Sequence, residues 1–127
     1  MLIYAAAGKN SEPGKFAVAY DLVRHAGFGV SGQSLAEFSS VVIRKALLPR
    51  EELEAWLQQL ALLPFVPVDQ ALVSRGVILS RRYSVSYYDA ALLAAAERLR
   101  AAIFFSEDLN HNQLYGDVRV VNPFLEH

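Results

Sequence analysis

Hydrophobic residues recur at helical spacing along most of the N-terminal half of this 127-residue chain. The spacing predicts a first helix over residues 15–25, with Gly27 at the position of a helix C-cap. Residues 28–30 then have the pattern of a short strand. A second helix is predicted to begin at Ser34 and a third at Pro49, which suits a first helical turn.

The second half alternates predicted helices with short apolar strands. Residues 65–68 (Phe-Val-Pro-Val) are a candidate strand at a sheet edge, because proline cannot donate a ladder hydrogen bond. Asp69 is predicted to cap a helix that runs to about Arg82. A further helix, rich in alanine and leucine, is predicted from Ser86 to about Arg100.

Two apolar runs, at residues 103–105 and 118–121, predict strands that are covered on both faces. Such strands are typical of parallel sheets flanked by helices, so the expected fold class is α/β with a mostly parallel sheet. Neither a repeat nor a linker divides the sequence, and residues 1–124 are expected to form one domain. Residues 125–127 (Leu-Glu-His) are interpreted as the start of a vector-encoded tail, which removes His127 from the candidate ligands.

Composition limits the cellular setting and the classes of function. Hydrophobic residues make up 54% of the chain, but none of their runs approaches the ~20 residues of a bilayer-spanning helix, so we expect a soluble protein. The chain has no cysteine and no basic region ahead of an apolar N-terminal stretch, which makes the cytoplasm the expected location. A net charge of −1 disfavours a broad basic surface that coats nucleic acid, but permits an enzyme with a single nucleic-acid site. The sequence contains no phosphate-cradling glycine loop, which excludes nucleotide-binding enzymes of that type.

Three acidic residues fall where α/β sheets form their sites, after strands or at helix starts. Glu37 follows Ser34 by three residues, Asp89 has the same relation to Ser86, and Asp108 follows a predicted strand. Each has a structural interpretation, since the first two suit capping boxes and the third suits a turn. Gathered at one edge, however, such carboxylates would repel one another unless a divalent cation lay between them. Oxygen ligands favour Mg²⁺ or Mn²⁺ over zinc, and the expected chemistry is phosphodiester hydrolysis.

Four segments carry a resemblance to a known family. Residues 86–91 (Ser-Tyr-Tyr-Asp-Ala-Ala) and 106–111 (Ser-Glu-Asp-Leu-Asn-His) resemble the acidic helix start and the Thr/Ser-x-Asp element of PIN-domain ribonucleases of the VapC toxin type. Residues 120–124 (Val-Val-Asn-Pro-Phe) resemble that family's closing strand, and residues 33–38 (Gln-Ser-Leu-Ala-Glu-Phe) its second acidic element. The resemblance covers almost the whole chain and implies a PIN-like three-layer sandwich.

The resemblance also implies an activity and its residues. Glu37, Asp89 and Asp108 correspond to the metal-binding catalytic acids, and Ser106 to the hydroxyl that supports them. The implied protein is an endoribonuclease that hydrolyses RNA with water activated by Mg²⁺ or Mn²⁺. As a toxin of a toxin–antitoxin pair, it would have a small antitoxin partner that covers the site.

The chain departs from this family at its start. Family members open with a strand that leads into Asp-Thr-Asn-Val-Leu-Ile-Tyr-Ala, whereas residues 1–5 here are Met-Leu-Ile-Tyr-Ala, so the first acid and the central first strand are missing. Three explanations are open: a start codon assigned too late, a deliberate truncation, or a shortened member that no longer cleaves RNA. Loss of a central strand would expose unpaired backbone groups, so a homodimer is expected.

Other residues have weaker functional interpretations. Arg81, Arg82 and Tyr83 lead into the element at Ser86 and are candidate contacts to RNA phosphates and bases, although helix-end cations are the competing interpretation. His111 lies close to Asp108 and is a candidate contact to substrate, but its preferred interpretation is a polar turn residue. The alternative function is a non-catalytic module that binds RNA, an antitoxin-like partner or another copy of itself.

Overall fold

The structure, a computed structural model, describes residues 1–25 and 27–125. The chain divides into an N-terminal unit, Met1–Phe65, and a C-terminal unit, Val66–His127. The prediction of one domain over residues 1–124 stays a prediction. The interpretation of the tail also stays a prediction, because its residues beyond Leu125 lie outside the described part. Within that part, no helix is long and apolar enough to cross a membrane.

The N-terminal unit is mainly helical, as predicted. Its elements are α1 (Leu2–Ala7), α2 (Pro13–Val23), β1 (Val30–Ser31), α3 (Gly32–Lys45) and α4 (Arg50–Leu60). Helix α1 was not predicted, and it packs against α2 and α3. Phe38 and Val42, one turn apart on α3, are buried in this unit. The Val30 N–H of β1 donates to the Pro64 carbonyl over 2.9 Å, directly before the short strand β2 (Phe65–Val66).

Helix α3 begins earlier than the sequence predicts. Ser31 is its N-cap, and the capping box joins Ser31 to Ser34: each backbone N–H donates to the other hydroxyl, over 3.1 and 2.9 Å. The predicted box between Ser34 and Glu37 is therefore wrong, because the Ser34 hydroxyl already serves the preceding turn. Glu37 lies one turn further into the helix, where capping does not account for it.

The C-terminal unit holds a helical pair and a three-stranded sheet. Its further elements are α5 (Gln70–Tyr83), α6 (Tyr87–Arg98), β3 (Ile103–Phe105), β4 (Leu114–Tyr115) and β5 (Val118–Val121). Asp69 caps α5 as predicted, since its Oδ1 accepts from the Leu72 N–H over 2.8 Å. The core of the C-terminal unit is formed by side chains from both helices and from the sheet, among them Leu72, Leu79, Ala90, Leu93, Ala94, Tyr115, Val118 and Val120.

The sheet of this unit has the order β3-β5-β4. Strands β3 and β5 are parallel, and the unpredicted strand β4 is antiparallel to β5. Central strand β5 is buried on one face, at Val118 and Val120, but Arg119 on the other face is exposed, so the predicted cover on both faces is wrong for this strand. The prediction that residues 103–105 are covered on both faces is wrong, since Ile103 is 46% exposed and Phe104 and Phe105 are only half-buried. The α/β class is observed, while the three-layer arrangement stays a prediction.

Helices α5 and α6 pack closely against each other at Gly76. A Cβ built on this buried residue would lie 3.0 Å from Cε1 of Tyr87 and 3.3 Å from Cα of Ala91. Such distances are shorter than ordinary van der Waals contacts, so a side chain here would have to displace its neighbours. Gly76 therefore sets the separation between α5 and the first turns of α6.

Two ion pairs link the same helices further along. The Arg75 guanidinium donates to both carboxylate oxygens of Glu97, over 2.8 and 2.9 Å, and these bonds raise the pKa of Arg75. Arg98 donates to both oxygens of Asp69, over 2.7 and 3.1 Å. These bonds, with the one from the Leu72 N–H, hold the pKa of Asp69 below its ordinary value. Bidentate pairs of this kind fix the register of the two helices.

Candidate functional site

Asp89 lies in the first turn of α6, where Ser86 is the N-cap. The Asp89 N–H donates to the Ser86 hydroxyl over 3.2 Å, and that hydroxyl donates to Asp89 Oδ2 over 2.9 Å. The side chain is half-buried, and the next two residues, Ala90 and Ala91, are fully buried against the core. Ser86 orients the Asp89 carboxylate through Oδ2. Within the described residues Oδ1 accepts no hydrogen bond, so this oxygen is available to bind a metal ion.

Asp108 lies in the loop that follows β3. Its backbone N–H donates to the Ser106 hydroxyl over 3.1 Å, and the N–H of Leu109 reaches the same oxygen over 3.4 Å. Asp108 itself is exposed, whereas Leu109 is buried and anchors the loop. Ser106 thus holds the backbone that carries Asp108, rather than the carboxylate.

Asp89 and Asp108 are brought to one end of the C-terminal unit by the chain reversal between α6 and β3. Arg100 has a left-handed backbone, with φ of +57°, and the Ala101 N–H donates to the Ala96 carbonyl over 2.9 Å, as in a Schellman motif. The chain then returns through β3, which packs against α6. The start of α6 and the end of β3 therefore lie at the same end of the unit, which we call the acidic end, defined by Asp89 and Asp108.

Glu37, the third predicted acid, lies in the N-terminal unit. It is exposed on α3, and its Oε1 accepts from the Gln33 side chain over 3.0 Å. Over residues 1–25 and 27–125, no group of three or more His, Asp or Glu side chains is arranged to hold a metal ion. The membership of Glu37 in a metal site therefore stays a prediction.

The donor set of the acidic end suits a hard divalent cation. Asp89 and Asp108 supply carboxylate oxygens, and Mg²⁺ in proteins is commonly held by one or two carboxylates, with water and phosphate oxygens as the other ligands. The chain contains no cysteine that would favour zinc. The residues that are present therefore fit Mg²⁺ or Mn²⁺.

The residues predicted to contact RNA have different environments. Arg81 and Arg82 are exposed in the last turn of α5. Tyr83 is half-buried: its hydroxyl accepts from the Gly116 N–H over 2.7 Å, and its ring packs edge-on against Tyr115, with centroids 5.0 Å apart. Tyr83 thus supports the β4–β5 hairpin, whose turn needs the positive φ of +62° at Gly116.

Tyr88 is an aromatic residue of this end that sequence reasoning missed. It precedes Asp89, is 66% exposed, and contacts Tyr87 edge-on with centroids 5.3 Å apart. The helical repeat gives no signal for this exposure, because Ala91, three residues later on the same side of α6, is buried. An exposed aromatic ring beside a carboxylate is suited to stacking on a base.

Comparison with known proteins identifies the family of the chain. A search of the curated proteins finds no match. The PIN domain, in contrast, matches residues 2–117, a stretch that includes Glu37, Asp89, Ser106 and Asp108. Because this match covers far more than half of the sequence, the chain belongs to the PIN domain family.

Proposed function

We propose that this chain is an endoribonuclease that hydrolyses RNA phosphodiesters with Mg²⁺ or Mn²⁺ held at the acidic end. The observation that carries the proposal is the placement of Asp89 and Asp108, on a helix start and a strand end, at one end of the C-terminal unit. The PIN domain is a nuclease-type fold whose members generally depend on divalent metals and commonly bind RNA.

Each residue of the proposed site has its own task. Asp89 and Asp108 bind the cation, which when present activates water and stabilises charge on the phosphate. Ser86 orients the Asp89 carboxylate, and Ser106 holds the backbone of the Asp108 loop. Glu37 is the proposed third acid, on the strength of the family resemblance alone.

The proposed RNA path starts from exposed residues of the C-terminal unit. Arg81 and Arg82 supply cations for phosphates, and Tyr88 supplies a ring for a base. A net charge of −1 limits the non-specific contribution to affinity, so binding depends on these few contacts. Tyr83 is left out of this path because its hydroxyl and ring already serve the hairpin.

We further propose that the chain is a VapC-type toxin, that it has a small antitoxin partner and that it forms a homodimer. The exposed Ile103 on edge strand β3 supports self-association, because an unpaired strand edge is a template for another chain. The alternative is a non-catalytic binding module, which is favoured by one observation: the bond from the Asp89 N–H to the Ser86 hydroxyl is that of an ordinary helix cap.

Cleavage of end-labelled single-stranded RNA tests the proposal. With purified protein, we expect cleavage in Mg²⁺ or Mn²⁺ and complete loss of activity when EDTA removes the metal, because no other group at this end is proposed to activate water. An Asp108→Asn sample purified in parallel controls for contaminating ribonuclease. Cleavage that persists in EDTA would contradict the role of the metal, and RNA binding without cleavage would support the non-catalytic alternative.

A further inference from the structure

His111 lies in the loop that carries Asp108, three residues beyond it. The ring is half-buried, and its Nδ1 accepts a hydrogen bond from the backbone N–H of Asn122 over 2.9 Å. A nitrogen that accepts a hydrogen bond carries no proton, so in the neutral ring the proton is on Nε2. This side chain therefore ties the Asp108 loop to the residue that directly follows β5.

The same loop is bonded to β5 at its two ends through the backbone. The Ser106 N–H donates to the Val121 carbonyl over 3.1 Å, and the Asn112 N–H donates to the Val120 carbonyl over 2.7 Å. Between these two attachments the chain leaves the sheet, and Asp108 is exposed there. The bond from Asn122 to His111 adds a side-chain attachment at the second end of this segment, one residue before Asn112.

We propose that His111 is a positioning residue that holds the Asp108 carboxylate in place by accepting the Asn122 N–H. The inference rests on the proposed function, because it assigns to His111 the support of one of the two proposed metal ligands. Groups hydrogen-bonded directly to a metal ligand commonly affect metal affinity or activity by about 10- to 100-fold, and we expect the lower end of this range for His111, which acts through the backbone. In this role the ring takes no part in proton transfer to RNA.

The chemistry of the hydrogen bond suggests a discriminating set of substitutions. In asparagine the side-chain Oδ1 stands the same number of bonds from the backbone as Nδ1 in histidine, so His111→Asn keeps an acceptor for Asn122. His111→Gln places its oxygen one bond further out, and His111→Ala removes the acceptor. None of the three variants can act as a general acid or base at this position.

The experiment compares these variants in the full chain by RNA cleavage, Mn²⁺ affinity and amide hydrogen exchange of Asp108 and Leu109. In the Ala and Gln variants we expect a loss of about 10-fold or more in kcat and in Mn²⁺ affinity, with faster exchange. The Asn variant should stay within about threefold of wild type, because it retains the hydrogen bond. Circular dichroism verifies folding, and should the Ala variant fail to fold, the contrast between Asn and Gln decides.

Two results would overturn the proposal. Equal loss of cleavage in the Asn and Gln variants, with unchanged exchange, would assign to His111 a role in proton transfer instead. Wild-type cleavage, Mn²⁺ affinity and amide exchange in the His111→Ala variant would show that His111 has no role in positioning Asp108. A wild-type protein that fails to cleave RNA refutes the proposed function instead, and Mn²⁺ affinity and amide exchange then still decide whether His111 positions Asp108.

Discussion

Replacing Asp108 by asparagine is expected to lower the rate of RNA cleavage by about 100-fold or more, and Asp89→Asn should do the same. A catalytic metal supplies several kcal/mol of transition-state stabilisation, and about 1.4 kcal/mol corresponds to a factor of ten in rate. Asparagine keeps the shape of the side chain but lacks the charge that binds the cation. It also retains an oxygen for the Ser86 hydroxyl at position 89, so the start of α6 is preserved.

Asp117→Asn is the matched control for these variants. Asp117 is exposed in the β4–β5 turn of the same unit, and its replacement changes the net charge by the same amount. Initial rates at saturating Mn²⁺, measured on a fluorogenic RNA, should change less than about twofold for this control, as expected for an exposed surface substitution. Equal cleavage rates in the Asp89→Asn, Asp108→Asn and Asp117→Asn variants would show that Asp89 and Asp108 do not belong to the proposed site.

Gly76→Leu is expected to destabilise the protein by about 3 kcal/mol, because a leucine at this position overpacks the contact between α5 and α6. A single added Cβ already meets Tyr87 at 3.0 Å and the backbone of Ala91 at 3.3 Å. The loss is large against the total stability of about 5–15 kcal/mol that is typical of proteins. Since the clash lies beside the first turns of α6, it should also displace Asp89.

Gly14→Leu is the corresponding control in α2. A Cβ at Gly14 has no atom within 4 Å, so the substitution adds helix propensity without a clash, worth up to about 1 kcal/mol. Urea unfolding of both variants measures the difference. If Gly76→Leu were as stable as Gly14→Leu, the close approach of α5 and α6 would not be a constraint on this fold.

Local signals in the sequence predicted most of the C-terminal unit. Asp69 and Ser86 are found as the caps of α5 and α6, because capping depends on residues three positions apart. Strand β5 is found where its apolar run predicts a strand, but only the face that carries Val118 and Val120 is buried. The start of α3 was placed wrongly because Ser31 and Ser34 are both suitable caps. Helix α1 gave no periodic signal, since its six residues are almost all apolar.

Tertiary contacts decide the remaining features, which sequence patterns do not contain. Ile103 reads as a core residue from its neighbours, but its exposure depends on what packs on its face of the sheet. The carboxylates of Asp89 and Asp108 could be proposed from motif and spacing. The bond between His111 and Asn122 joins residues eleven positions apart through the return of β5, so only the fold reveals it.

Binding of Mn²⁺ tests most directly whether Asp89 and Asp108 hold one cation between them. The ion can be titrated into wild type, Asp89→Asn, Asp108→Asn and the double variant, with the free ion followed by electron paramagnetic resonance. A shared site predicts that each single variant loses about tenfold or more in affinity and that the double variant loses less than the sum, since two ligands of one ion are coupled. Unchanged affinity in either single variant, or losses that add independently, would contradict a shared metal site at the acidic end.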